Sequence, residues 1–303
     1  MIIRRSTAQV RPGLLDEFRT FIEAGTAGFA ALDGFVSDEI VVRRGSATLD
    51  AATPDGPTPD APAPAPDAPA APAPDTLTYV SRWRDAAALA AYAGPGWRTE
   101  PVVLPDEDRF LLGPLRVRHV ELRHAGPADA PAIAAVWHAA WGDGHHDLVP
   151  PALEAARTRE SFGPRATARV PRTTVAVALD TAPDADTAPD ADAAPGAGAA
   201  DGAPGQDVVA GFVTVTGEEV EQLFVAAAHR GSGIASDLLS AGETRIAAAG
   251  HAEAWLAVVT GNTRARRFYE RAGWSDGGPL DYRAETAEGP VPVATRRYVK
   301  RLG

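Results

Sequence analysis

The chain has 303 residues, 45% hydrophobic and 23% charged, enough for two domains of ordinary size and a sizeable buried core. It contains no cysteine, which excludes a disulfide framework, a thiolate zinc cage, an iron–sulfur cluster and a cysteine nucleophile together. The formal charge of -11 is carried by twelve aspartates in two low-complexity stretches; the remainder, at +1, is nearly neutral and points to neither a nucleic-acid face nor an acidic one.

Near the N-terminus, Arg4 and Arg5 are followed by Ser-Thr-Ala-Gln without an apolar run or a small-residue cleavage site. No apolar segment approaches the roughly 20 residues that span a bilayer. The expectation is a soluble cytoplasmic protein with neither membrane nor nucleic acid as partner.

Residues 49–76 and 181–206 consist almost entirely of Ala, Pro, Asp, Gly and Thr and have no apolar periodicity to offset the entropy of ordering them. Both are predicted as disordered inserts at hairpin tips, where loop-closure entropy grows only logarithmically with length. With the first insert set aside, residues 1–115 read as strand (Ile2 to Val10), helix (Gly13 to Ala31), strand (Phe35 to Arg43), strand (Leu77 to Arg84), helix (Asp85 to Tyr92) and strand (Arg109 to Leu112). The order βαββαβ is the ferredoxin-like unit. Leu77, Tyr79, Ser81 and Trp83 share one face of their strand. With two helices covering a single face of the sheet, this aromatic-bearing face is expected to need a partner.

The Val10-Arg-Pro-Gly13 turn, the Leu32-Asp-Gly34-Phe35 helix exit, and Tyr79-Val-Ser-Arg-Trp83-Arg-Asp85 followed by Leu89-Ala-Ala-Tyr92 resemble the antibiotic-biosynthesis-monooxygenase domain, a dimeric α+β barrel. The resemblance implies a homodimer through this domain. It also implies a pocket lined by Tyr79, Trp83 and Trp97, or plain core and dimer contacts at those positions. A haem-degrading version lacks its iron ligand, because no His precedes His119. Cofactor-independent oxidation of an aromatic substrate is the alternative activity that the resemblance implies.

A second domain, 118–303, begins with an amphipathic helix carrying Ile133, Val136, Trp137, Ala140 and Trp141, with Asp129 as its expected N-cap. Strands follow at Thr173 to Leu179, Val208 to Val215 and Val220 to Val225. Leu223-Phe224-Val225 then leads through a turn, Arg230-Gly231-Ser232-Gly233-Ile234-Ala235, into a helix reaching about Ala249. Two glycines there let the backbone turn tightly. The first-turn amides, lacking intrahelical acceptors and helped by the helix dipole, form a cradle for a pyrophosphate. After a strand at Trp255 to Val259 comes Asn262-Thr-Arg-Ala265-Arg-Arg-Phe268-Tyr269-Glu-Arg-Ala-Gly273-Trp274, a helix closed by glycine and holding the sequence's single asparagine.

Arg230-x-x-Gly233-x-Ala235 and the Asn262 to Trp274 segment together resemble the GCN5-related N-acetyltransferase (GNAT) superfamily. The implied architecture is α+β: a ferredoxin-like domain followed by a GNAT fold with a mixed sheet. The implied activity is transfer of an acetyl group from acetyl-CoA, as cosubstrate, to an amine of a small molecule or a protein N-terminus, by direct attack within a ternary complex and without a metal.

On this resemblance the amides from Arg230 to Ala235 hold the pyrophosphate, and the backbone from Leu223 to Val225 pairs with the pantetheine arm. The amide near Val225 polarises the thioester carbonyl. Asn262 bonds the pantetheine region and Tyr269 protonates the leaving sulfur. Glu221 is the favoured base, with Glu219 next by strand parity and a water relay equally admissible. His145 and His146 fall where the superfamily places its acceptor, or on a surface loop; with Asp147 they are consecutive and cannot readily converge on one metal ion. A non-catalytic acyl-CoA or ligand sensor is the non-enzymatic alternative. No Gly-x-Ser-x-Gly elbow supports a hydrolase.

Overall fold

Leu15, Phe18 and Ile22 recur at helical spacing, and they are the residues through which the first helix is buried against the sheet of the first unit. A computed structural model describes residues 1–45, 73–179 and 207–303. It divides into two units, Met1–His119 and Val120–Gly303. The predicted inserts lie outside the described residues, except for residues 73–76, which lead into a strand.

Unit 1 contains β1 (Ile2–Gln9), α1 (Leu15–Thr26), β2 (Phe35–Arg43), β3 (Thr76–Trp83) and α2 (Ala86–Ala93). Both β1 and β2 run antiparallel to β3, with Ile2 and Phe35 opposite Trp83. Asp85 caps α2 by accepting a hydrogen bond from the Ala88 amide at 2.8 Å.

Two expectations change here. The segment Arg109 to Leu112 is not a strand: Glu107–Phe110 forms a 3-10 turn, and Leu111 makes an isolated bridge to Val10. The Glu107 carboxylate accepts from the Leu104 amide at 2.8 Å, closing the turn, while the Phe110 ring is drawn to 5.1 Å from both Phe18 and Phe21. Local turn chemistry and aromatic packing thus override the short apolar run.

The aromatic face of β3, moreover, lies beneath the helices. Leu77 packs with Phe18 and Ile22 of α1, and Trp83 stacks on Tyr92 of α2 at 5.0 Å. Of the three predicted pocket residues, Tyr79 lines a cavity of about 40 Å³ between sheet and helices. Trp83 and Trp97 are buried; Trp97 packs edge-on against His119, whose ring centroid lies 5.0 Å away.

Unit 2 is built on the part of β4 (Arg116–His124) from Val120 on, α3 (Ala130–His145), α4 (Pro151–Ala156), α5 (Arg159–Arg169), β5 (Thr173–Ala178), β6 (Val208–Thr216), β7 (Glu219–Val225), α6 (Ile234–Ala248), β8 (Glu253–Val259), α7 (Thr263–Arg271), β9 (Ser275–Ala284) and β10 (Val291–Arg301). The strand order is β4-β5-β6-β7-β8-β10-β9, antiparallel throughout except for the parallel β7–β8 contact, so the sheet is mixed. On one face Trp137 of α3 meets Phe162 of α5 and Phe212 of β6 at 5.4 and 5.8 Å. Leu238, Leu239 and Ile246 of α6 are buried as well.

Asp129 precedes α3 as expected, but its side chain does not cap that helix. It accepts instead from the Gly126 amide at 2.7 Å and takes both arms of Arg123 at 2.7 and 2.8 Å, fixing the turn that enters the helix.

Candidate active site

The parallel pair at the centre of unit 2 is almost unmade. β7 and β8 meet at Glu219↔Trp255, where the Trp255 amide donates to the Glu218 carbonyl at 3.0 Å, and no further register pair joins them. Around this parting lies a cavity of about 410 Å³, whose walls come from α3, α5, β7, β8, α7 and β9. The β7 edge facing β8 therefore offers backbone groups to an extended ligand in the manner of an added strand.

β7 also carries a bulge. Thr214 pairs with Gln222 but Val215 pairs with Val220, so Glu221 is the extra residue. Alternation is broken as a result. Val220 points to α6, 3.9 Å from where a Cβ on Gly242 would stand. Phe224, four residues on, points the other way, its ring 6.2 Å from Trp137 and 6.4 Å from His145. Leu223 and Phe224 line the cavity; Val225 lies with Leu238 around Gly211.

Beyond Val225 the chain makes a 3-10 turn at Ala227–His229 and then takes positive φ at Gly231 (76°) and Gly233 (91°). A side chain at either position would cost about 1–2 kcal/mol of backbone strain, so glycine is what the turn requires. Gly233 is the N-cap of α6, which leaves Ile234 and Ala235 in the first turn with their amides directed out of the helix. Ser232 donates its hydroxyl to the His229 carbonyl at 2.6 Å and is part of the turn's own fabric. The Arg230 guanidinium is paired with Asp143 of α3, so the arginine side chain anchors the turn.

Asn262 caps α7: its Oδ1 accepts from the Ala265 amide at 3.0 Å, and its Nδ2 donates to the Gly144 carbonyl of α3 at 3.0 Å. Tyr269, two turns on, lines the cavity and packs between Phe268, Trp274 and Tyr298. Its hydroxyl has no hydrogen-bond partner among the described residues, and burial pushes its pKa well above the ordinary phenol value. The phenol is protonated at neutral pH.

The two carboxylates of β7 are in different states. Arg169 Nε donates to Glu221 Oε1 at 2.6 Å and the Thr216 hydroxyl donates to Glu221 Oε2 at 2.9 Å. The Glu219 carboxylate makes no hydrogen bond or ion pair among the described residues; burial first, and the negative charge of Glu221 second, push its pKa up to about 7.

The histidine pair separates. His145 lines the cavity, lies flat on Trp141 at 4.8 Å, and donates Nδ1–H to the Trp141 carbonyl at 2.9 Å. Burial lowers its pKa, which keeps it neutral. His146 is exposed, within 3.5 Å of Asp147 and 3.4 Å of Glu154. Among the described residues no cluster of three His, Asp or Glu side chains could hold a metal, and no helix is long and apolar enough to cross a membrane.

Sequence reasoning missed the arginines. Arg157, Arg165 and Arg169, with Tyr282 of β9, line the same cavity as Glu219 and Glu221, and Arg169 is bonded to Glu221. The i, i+4 spacing of Arg165 and Arg169 was a readable signal that they share a helix face. That this face meets residue 282 was not.

Residues 173–274 match the model of the acetyltransferase (GNAT) family. The matched stretch runs from the start of β5 to the residue before β9 and includes the β7–β8 parting, the glycine turn and α7. Unit 2 thus carries a GNAT acetyltransferase domain, and the protein is an acyltransferase. No curated protein matches the chain.

Among solved structures, it is similar to a GCN5-related N-acetyltransferase from Rhodopseudomonas palustris, at 19% identity over 60% of this chain and 95% of that one, with a TM-score of 0.39. It is also similar to the PaiA N-acetyltransferase from Thermoplasma acidophilum, solved in complex with coenzyme A, at 15% identity over 60% and 98% of the two chains, TM-score 0.39. A GNAT superfamily phosphinothricin acetyltransferase from Sinorhizobium meliloti, in complex with acetyl-CoA, is similar at 17% identity over 61% and 89%, TM-score 0.39.

Proposed function

We propose that unit 2 transfers an acetyl group from acetyl-CoA to the amine of a small molecule or a protein N-terminus, by direct attack within a ternary complex. The observation that carries this reading is the parting of β7 from β8 after Glu219↔Trp255, around a cavity that reaches Tyr269. A thioester with an extended, amide-bearing arm needs such a slot, with backbone partners along it and an anion cradle at its end.

The residues present fit that cosubstrate, which when bound supplies the activated acyl group. The amides of Gly233, Ile234 and Ala235 hold its diphosphate, with Arg230 through Ser232 shaping the turn. The β7 edge from Leu223 to Val225 pairs with the pantetheine arm, and the amide near Val225 polarises the carbonyl. Asn262, already committed as a cap, keeps one Nδ2 hydrogen and one Oδ1 lone pair for the same arm.

Glu219 takes over the role of base that sequence reasoning favoured for Glu221. Its lone pairs are unengaged and its pKa of about 7 suits proton transfer at neutral pH, whereas Glu221 is neutralised by Arg169. Glu219, directly or through a water, removes the ammonium proton. The C–N bond then forms as the C–S bond breaks, Tyr269 gives its phenolic proton to the sulfur, and the second proton that the nitrogen sheds on becoming an amide passes through solvent to restore the phenol, while Glu219 releases the first to bulk water. His145, neutral on the cavity wall, contacts the acceptor; His146 lies outside.

Calorimetry with coenzyme A and acetyl-CoA, followed by thiol release across a panel of amines, tests the reading. Binding heat and amine-dependent thiol are expected. Absence of heat would overturn it, and heat without thiol release from any amine would replace it with a non-catalytic sensor.

For unit 1 we propose a ferredoxin-like module that pairs two chains. β2 is an edge strand that leaves Val36 and Val41 exposed, at 55% and 41%, beside helices that already cover the other face. Sedimentation of the full chain is expected to give a dimer, and a monomer at micromolar concentration would refute it. The cavity of unit 1, at about 40 Å³, is far smaller than a polycyclic phenol, and no observation there favours the oxidative alternative.

A further inference from the structure

Arg157 and Arg165 stand on the cavity wall with their positive charges uncompensated. Each donates to the same main-chain oxygen, the Glu285 carbonyl, at 3.0 Å, and among the described residues neither forms an ion pair. The third arginine, Arg169, is occupied by Glu221. Burial first, and the neighbouring charge of Arg165 second, lower the pKa of Arg157 to about 10; Arg165 is lowered by burial and by Arg169. Guanidiniums that repel one another while partly desolvated cost stability unless an anion joins them.

That anion is not the diphosphate of the cosubstrate. Arg169 meets β7 at Glu221, whereas the glycine turn begins after Val225, four residues on. At about 3.3 Å per residue, up to roughly 13 Å of strand separates Glu221 from Val225, and no residue of the glycine turn lines the cavity that holds the arginines. The arginines therefore lie at the end of the slot where Glu219 waits for an amine, and Tyr282 beside them adds a phenolic donor protonated at neutral pH.

We propose that the acceptor is an amine bearing an oxyanion, of the amino-acid or aminoalkylphosphonate class, whose anionic group is held by Arg157 and Arg165 while its nitrogen faces Glu219. A planar guanidinium pair fits a carboxylate or phosphonate with two-point hydrogen bonds, which a protein backbone terminus or a simple alkylamine does not offer. This inference rests on the acetyl-transfer reading of the same cavity and narrows it.

The test uses matched pairs: L-phenylalanine against phenethylamine, L-glutamate against 4-aminobutyrate, and 2-aminoethylphosphonate against propylamine. Each is titrated into the full-length protein saturated with coenzyme A, and each is assayed for thiol release from acetyl-CoA. In the first and third pairs the member that bears the oxyanion is expected to bind at least 10-fold tighter and to show the higher kcat/KM. In the second the α-carboxylate of glutamate should confer the same advantage.

Arg157→Gln and Arg165→Gln should bring the preference within each pair close to unity. Calorimetry with coenzyme A checks that these variants keep a folded cosubstrate site. Equal or weaker binding of L-phenylalanine, L-glutamate and 2-aminoethylphosphonate than of their partners, or no binding by any member, overturns the inference while leaving acetyl transfer standing. Failure of coenzyme A itself to bind overturns the parent reading as well. A preference that survives unchanged in both variants also refutes the assignment of the arginines.

Discussion

The guanidinium of Arg169 closes on Glu221 at 2.6 Å and thereby leaves its neighbour Glu219 as the carboxylate able to move a proton. Glu219 titrates near 7, so it is largely protonated at pH 6 and largely ionised at pH 8. The expected kcat rises with pH through about 7 and levels above it. Glu219→Gln removes that limb and lowers kcat by about 10²-fold or more. A pH–rate profile that keeps the limb in Glu219→Gln would refute the assignment.

Glu221→Gln makes a different prediction. The negative charge of Glu221 is one of the causes that raise Glu219, and Arg169, once released, favours the ionised form. The kinetic limb should therefore move to lower pH in this variant while remaining present. Were Glu221 the base, the limb would vanish instead, and the same titration distinguishes the two.

Tyr269→Phe removes a proton donor whose hydroxyl bonds nothing else among the described residues, so the variant loses no structural hydrogen bond. A fall in kcat of about 10- to 10³-fold is expected with little change in the affinity for coenzyme A. The effect should appear in single-turnover thiol release, where chemistry is isolated from product departure. Unchanged turnover would leave the sulfur to be protonated by solvent.

Much of the fold is written in local pattern. Phe35 to Arg43 and Val208 to Val215 read as strands, and the stretch after Gly233 as a helix to about Ala249, because period and turn chemistry agree in each; the structure has Phe35–Arg43, Val208–Thr216 and Ile234–Ala248. The site is less legible. Glu219-Val-Glu-Gln-Leu-Phe-Val225 alternates too loosely to betray a bulge, which depends on the register with Thr214 and Val215. Arg157, Arg165 and Tyr282 converge only because β9 returns beside α5, a contact between segments more than a hundred residues apart. Unit 1 illustrates the opposite error: the parity of Leu77, Tyr79, Ser81 and Trp83 was readable, but which face the helices would cover was not.

Gly233→Val forces a branched side chain into a φ of 91° at the N-cap of α6. The cost of about 1–2 kcal/mol falls on the turn that presents the Ile234 and Ala235 amides. The expected result is a loss of about 10-fold in coenzyme A affinity by calorimetry. Arg230→Ala, which breaks only the tether to Asp143, is expected to weaken binding less. Equal affinities for Gly233→Val and the parent chain would argue against a diphosphate at this turn.

Glu243 of α6 links the cradle to the helix that carries Tyr269. Its carboxylate accepts from Trp274 Nε1 at 2.8 Å and from the single lysine, Lys300 Nζ, at 2.8 and 2.9 Å, while the same ammonium donates to the Ala272 carbonyl at 2.9 Å. Trp274 is buried and the Glu243–Lys300 side chains are largely so, at 16% and 27% exposure. Glu243→Ala would leave an indole N–H and an ammonium without their anion, a loss of about 2–4 kcal/mol in unfolding free energy. Glu243→Gln retains an acceptor for the indole but not the charge, and should recover part of that loss. Urea unfolding followed by Trp fluorescence measures both, and equal midpoints for Glu243→Ala and the parent chain would show that α6 and α7 are held together by apolar packing alone.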